Sequence, residues 1–290
     1  MKTEREKAKT FVLGLGAQKA ATSWVHRYLR HYPEADFGAL KEYHVWDVLR
    51  VPHFAYFSPL TRRARMRSVG KRVLGRDVTP DRLRRRFCRD PDRYFDYFSN
   101  LLAPGAIRLT GDITPSYSAL PAETLREIRD RFAARGVAVK VLFLMRDPVD
   151  RCHSAVRMHK RDRVSREGVD IALPDDEALR RYMRSQDAQL RTRYDRTLAA
   201  IDAVFPPVDV FIGFYETVFR EEEVRRLSAF FGVAPDPGFV SRKVNVSARE
   251  GRLSPETLAF VRGEFAEVYA ACAERFPVTR DIWQALPAAR

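Results

Sequence analysis

The chain has 290 residues, 45% of them hydrophobic and 31% charged, with a formal net charge of +14 at pH 7. That length buries a substantial core, in one large domain or two small ones. No apolar run approaches the ~20 residues needed to span a membrane, and the charged start, Met1-Lys2-Thr3-Glu4-Arg5-Glu6, is not a signal peptide. Cys88, Cys152 and Cys272 are too widely separated for a disulfide framework or a metal cluster, so a reducing cytoplasm is the expected home.

In chain order, Thr10–Leu15 reads as a buried strand and Ala21–His31 as a helix with Trp24, Tyr28 and Leu29 on one face. Between Leu60 and Asp90 stand twelve Lys or Arg and three Asp, a net +9 that holds most of the charge excess. Such a field either draws in anionic ligands or solvates a helix face. Leu120–Phe132 has helical spacing, and Val137–Met145 is the apolar run expected of a strand buried on both faces. One long helix is expected from Asp175 to Phe205, a strand over Val208–Phe214, and a last helix opened by Ser254-Pro255. This alternation predicts an α/β fold: a P-loop-like, doubly wound domain with a central parallel sheet flanked by helices. A single domain over residues 1–290 is expected, with a basic, mostly helical insertion at 48–100.

The first strand feeds into Gly14-Leu15-Gly16-Ala17-Gln18-Lys19-Ala20-Ala21-Thr22-Ser23-Trp24 and then a helix. A tight turn ending at a helix N-terminus offers backbone N–H groups and a favourable dipole to an anion. Lys19, Thr22 and Ser23 would complete a phosphate cradle. The run is not a Walker A loop: Gln18 replaces the second glycine, and Ala20 replaces the Mg²⁺-binding hydroxyl. The dinucleotide fingerprint fails as well, for want of a third glycine. An ordinary strand-to-helix turn with a surface lysine would account for the same residues.

The later strand ends in Arg146-Asp147-Pro148-Val149-Asp150-Arg151-Cys152-His153-Ser154, and strand ends in open α/β sheets are where ligands bind. Arg146 can fork onto a phosphate, with Ser154 two helical turns on, or can simply pair with Asp147 or Asp150. Together the two motifs resemble the PAPS-dependent sulfotransferases, PAPS being 3'-phosphoadenosine 5'-phosphosulfate and PAP its desulfated product. The resemblance implies that Gln18, Lys19, Ala20, Ala21, Thr22, Ser23 and Trp24 bind the cofactor. Lys19 would meet the bridging oxygen and the sulfuryl group, Thr22 and Ser23 the 5'-phosphate, and Arg146 and Ser154 the 3'-phosphate. Ala21 stands where the family carries glycine, so a positive φ there is costly. Sulfuryl transfer loads less charge onto the reacting centre than phosphoryl transfer, so lysine and backbone amides suffice and no metal is expected.

The acceptor must lose a proton, which calls for a base. Leu40-Lys41-Glu42-Tyr43-His44-Val45-Trp46-Asp47 resembles a stretch of the heparan-sulfate (N- and 3-O-) branch of that family. The resemblance makes Glu42 the first choice for base, with Lys41, His44 and Asp47 in the acceptor cleft. Thr110–Tyr117 resembles a second segment of that branch, which makes Asp112 the alternative base and Tyr117 a cleft wall; Ile113 replaces that segment's lysine. Lys243, Arg249 and Arg252 fall in a basic loop that family members place over the cofactor. His26, His31, His53, His153 and His159 lack ligand spacing. The resemblance thus implies sulfuryl transfer to a hydroxyl or amine, with a carbohydrate, possibly anionic, as the leading acceptor. Competing readings are a P-loop small-molecule kinase, which lacks its Gly-Lys-[Ser/Thr], and a basic nucleic-acid or membrane-surface module, which lacks regular aromatic interleaving and a strong apolar face.

Overall fold

The computed structural model describes residues 8–61, 66, 79–241 and 253–283. Four parallel strands form the sheet: β1 (Thr10–Gly16), β2 (Leu109–Ile113), β3 (Ala138–Met145) and β4 (Val210–Phe214), in the order β2-β1-β3-β4. Each strand of β1 and β3 is covered on both faces, which is why both read as almost unbroken apolar runs. In chain order the helices are α1 (Thr22–Arg30), α2 (Trp46–Arg50), α3 (Thr79–Arg89), α4 (Asp92–Leu101), α5 (Ala122–Ala133) and α6 (Pro148–Arg161). They continue with α7 (Asp175–Met183), α8 (Gln186–Thr192), α9 (Tyr194–Asp202), α10 (Glu221–Phe231), α11 (Pro255–Glu264), α12 (Ala266–Arg275) and α13 (Thr279–Ile282).

The helices make the outer layers. On one face, Phe11 of β1 stacks on Phe132 of α5 at 4.1 Å and meets Phe98 of α4 edge-on, while Phe143 of β3 meets Tyr194 of α9. On the other, Lys140 Nζ donates to the Phe230 carbonyl of α10, and Tyr28 of α1 bonds to Ser228 of α10. Tyr94, Phe95 and Phe98 are fully buried, so the end of the expected insertion is built into the core. Chain direction places the site. β1 connects to β2 on one side and β3 lies on the other, so the loops leaving β1 and β3 flank the point where strand order reverses.

Three expectations change. The single helix over Asp175–Phe205 is α7, α8 and α9. Ser185 restarts the chain as an N-cap, its side chain accepting from Ala188 N–H, and Arg193 leaves helical geometry with ψ 69°. The last helix does open at Ser254, whose side chain accepts from Thr257 N–H, but breaks at Phe265 into α11 and α12. Strand β2 was not anticipated: Leu109–Ile113 contains Gly111 and Asp112, and its pairing with β1 decides its structure.

Candidate active site

The loop to α1 leaves β1 at Gly16, where φ is 107° and an added Cβ would lie 2.6 Å from the Pro115 carbonyl, so only glycine fits. Two further residues turn left-handed, Lys19 at φ 68° and Ala21 at φ 66°. Ala21 is the N-cap of α1, and its carbonyl accepts from Trp24 and Val25 N–H. From β3, Arg146 reaches back to this loop, Nη1 donating to the Lys19 carbonyl at 3.1 Å. Its guanidinium lies 4.1 Å from the Tyr215 ring centre, its link to Asp150 is loose at 3.7 Å, and its buried Nε has no partner. Asp147 instead caps α6, accepting from Val149 and Asp150 N–H, so the alternative Arg146–Asp147 pair does not form. Ser154 is buried farther along α6.

Positive charge crowds this place. Burial first, then Arg161, Arg146 and Arg157, push the Lys19 ammonium down to about 8. An anion there would relieve both the repulsion and the unmatched Arg146 Nε. Lys19 and Arg146 therefore fit an anionic ligand. Trp24 is buried with its indole N–H unpaired, edge-on to Phe219 at 5.3 Å and Phe239 at 5.7 Å. Lys243, Arg249 and Arg252 lie outside the described residues.

The Lys41–Asp47 run is carried to the loop because residues before it follow β2: Asp36 N–H donates to the Leu109 carbonyl and Ile113 N–H to that of Lys41. Lys41 Nζ then bridges the two motifs, 3.2 Å from Thr22 Oγ1 and 2.6 Å from Glu42 Oε1. The other Glu42 oxygen faces His44 Nε2 at 3.3 Å, and His44 Nδ1 lies 2.7 Å from buried Asp47. Ser116 Oγ donates to the same Asp47 oxygen. Burial opposes charge on Glu42, but Lys41 and His44 outweigh it and hold the carboxyl well below its usual range. Burial likewise opposes charge on His44, yet Asp47 and Glu42 raise it to about 9, so it is a cation at neutral pH and not a base.

Asp112 and Tyr117 lie behind this run. Asp112 is fully buried; one oxygen accepts from the Thr114 hydroxyl and from Tyr43 N–H, the other from the Tyr94 and Tyr117 hydroxyls. Burial pushes its carboxyl up to about 6 against those bonds. Tyr117, 1% exposed, also accepts from the Val45 and Trp46 N–H groups. Both residues hold the backbone that presents Glu42 and His44, and neither faces a cleft.

The structure adds an opposite wall that motif reading missed. Gln18 Nε2 donates to Glu167 at 3.1 Å, Glu167 pairs with Arg191, and Arg191 lies over Phe57 at 6.0 Å. Phe57 stacks on His44 at 4.2 Å. With His44–Glu42–Lys41–Thr22 this closes a ring of side chains that starts and ends on the phosphate loop. Burial opposes charge on Glu167, but His159, Arg191 and Gln18 bring it down to about 2. Its sequence signal was charge in a loop, and two of its partners, Gln18 and Arg191, lie 149 and 24 residues away.

No protein-family model matches the chain, and no curated protein matches it. Solved structures do. A sulfotransferase from Alicyclobacillus acidocaldarius aligns over 93% of this chain and 96% of its own, with TM-score 0.60 and 22% identity. A sulfotransferase from Mycobacterium avium aligns over 93% of this chain and 77% of its own, with TM-score 0.50 and 13% identity. The fold of this chain is the sulfotransferase fold. Among the described residues, no group of His, Cys, Asp and Glu could hold a metal, and no helix is long and apolar enough to cross a membrane.

Proposed function

We propose that this chain is a sulfotransferase that moves a sulfuryl group from PAPS to a hydroxyl or amine of a carbohydrate acceptor. The reading draws on the two-motif resemblance and on the fold. The observation that carries it is the Thr22–Lys41–Glu42 bridge, which joins the phosphate loop to an ionised carboxylate through one ammonium.

The donor supplies an activated sulfuryl group. The acceptor oxygen bonds to sulfur, the bond from sulfur to the bridging oxygen breaks, and the acceptor proton passes to Glu42. Lys19 stabilises charge where it develops, at the departing oxygen. Lys41 has a second task. An anion at Thr22 draws its ammonium away from Glu42, and the carboxylate becomes more basic when the donor site is filled. His44, fixed as a cation by Asp47, keeps Glu42 oriented and ionised.

Metal-free calorimetry with PAP and turnover assays with PAPS test this together. Arg146→Ala removes a charge-assisted contact and is expected to lower PAP affinity roughly 10- to 150-fold. Glu42→Gln is expected to leave PAP affinity intact and cut turnover by ~10²–10⁴. Unchanged PAP affinity in Arg146→Ala, or tighter binding of ATP with Mg²⁺ than of PAP, overturns the reading.

A further inference from the structure

Strand register brings two carboxylates to Arg146. Met145 of β3 pairs with Phe214 of β4, and Tyr215 N–H donates to the Met145 carbonyl at 2.8 Å. Just past the sheet, Arg146 therefore lies over Tyr215 and Asp147 meets Glu216. Glu216 Oε1 accepts from Asp147 N–H at 2.9 Å, and its Oε2 accepts from the Trp283 indole N–H at 3.3 Å. Asp147 Oδ1, besides capping α6, accepts from the Tyr269 hydroxyl of α12 at 3.0 Å. Tyr194 of α9 completes the frame, its hydroxyl donating to the Arg146 carbonyl at 3.0 Å.

An arginine beside carboxylates ordinarily closes on one of them, as Arg131 does on Asp92 and Arg275 on Asp202. Here, among the described residues, no ion pair ends on Asp147 or Glu216, and Arg146 makes only its loose contact with Asp150 at 3.7 Å. The two carboxylates take backbone, tyrosine and indole donors instead, and Asp147 Oδ2 is buried with no donor at all. Arg146 is thus held in place from several elements and left without a neutralising partner.

We propose that Asp147 and Glu216 are positioning residues for the donor: they brace the segment that carries Arg146 and leave its guanidinium to the donor's 3'-phosphate. This rests on the sulfuryl-transfer reading, in which Arg146 holds that phosphate. A phosphate dianion repels ionised carboxylates this close, so its binding favours their neutral form. Burial raises Glu216 to about 7, with the Asp147 charge adding to the rise and the Asp147 N–H and Arg146 opposing it. Burial and the Asp150 charge raise Asp147 to about 6, against the Asp150 N–H, Tyr269 and Arg262. Donor affinity is then highest while Glu216 is protonated, and falls as pH rises through about 7.

The test is calorimetry with PAP from about pH 6.5 to about 8.5, above the phosphate's own pKa of about 6. It compares Lys19→Arg, in which the lysine no longer titrates, with the same protein carrying Glu216→Gln or Glu216→Ala. The alanine removes the acceptor of Asp147 N–H and is expected to bind PAP about tenfold more weakly. The glutamine keeps that acceptor, and is expected to restore affinity and to lose most of the weakening with pH. Where the alanine variant folds poorly, Tyr269→Phe replaces it, with an expected loss of about threefold. An alanine or Tyr269→Phe variant as tight as its parent, a glutamine as weak as the alanine, or an unchanged pH dependence in the glutamine overturns the proposal. Inorganic phosphate on the same samples separates the two readings. Binding of phosphate with this pattern, but not of PAP, sinks the donor assignment and leaves the braced anion site standing. Absence of binding by both anions sinks both.

Discussion

Burial first, then the charges of Arg161, Arg146 and Arg157, bring the Lys19 ammonium down to about 8. Below that value it is charged and, in the proposed reaction, answers the charge that develops on the departing oxygen; above it the charge is lost. The free-enzyme parameter kcat/KM for the donor is therefore expected to be flat near pH 7. It should fall as pH rises through about 8, approaching tenfold per pH unit. In Lys19→Arg the guanidinium does not titrate, so the alkaline fall should vanish even if the rate is lower throughout. An alkaline limb that persists in Lys19→Arg assigns the titration to another group. Glu42 contributes no acid limb near neutrality, because Lys41 and His44 hold it ionised.

At the scale of elements, the junction of β1 and α1 is under strain. Ala21 adopts φ 66° at the N-cap of α1, where it has no side-chain oxygen to cap the helix. A left-handed alanine costs roughly 1–2 kcal/mol, which glycine avoids. Glycine gives back part of that through its freer unfolded chain. Ala21→Gly is expected to stabilise the protein by about 0.5–1 kcal/mol in denaturant titration, with PAP affinity unchanged. Destabilisation would mean that the alanine methyl packs usefully enough to offset its backbone strain. Helices α7 to α9 show the opposite balance: Ser185 and Arg193 break one amphipathic run into three, and the breaks let α8 bring Arg191 to the site.

Across the whole molecule, the Gln18–Glu167–Arg191–Phe57–His44 chain ties four segments that are far apart in sequence. Arg191 is 3% exposed and stands between two carboxylates, Glu167 and Asp187; Tyr56 bonds to it as well. Removing one partner of a buried pair leaves the other charge uncompensated, at a cost of about 3–5 kcal/mol. Arg191→Met is expected to lose stability in that range. In the proposed reaction its folded fraction should also lose turnover while keeping PAP affinity, because Arg191 lies over Phe57, which stacks on His44 beside the proposed base. A variant that loses stability but turns over normally when folded reduces Arg191 to a structural role.

Local patterns in the sequence determined β1, β3, β4 and the two loops that lead from β1 and β3 into helices, because a strand buried on both faces and a loop at a helix start have signatures within a dozen residues. The Lys41–Asp47 run stood out only by its resemblance to a known family, and its Glu42, His44 and Asp47 do meet in one network. What the tertiary structure decided depends on distance along the chain. Asp112 could be read as a base until Tyr43 and Tyr94, brought in from other segments, joined its neighbours Thr114 and Tyr117 as donors around it and made it a scaffold. Glu167 and Arg191 could not be found at all, since a charged residue becomes a buried partner only when distant segments fold over it. Strand β2 belongs with them: Gly111 and Asp112 disfavour a strand locally, and only the hydrogen bonds to β1 overcome that preference.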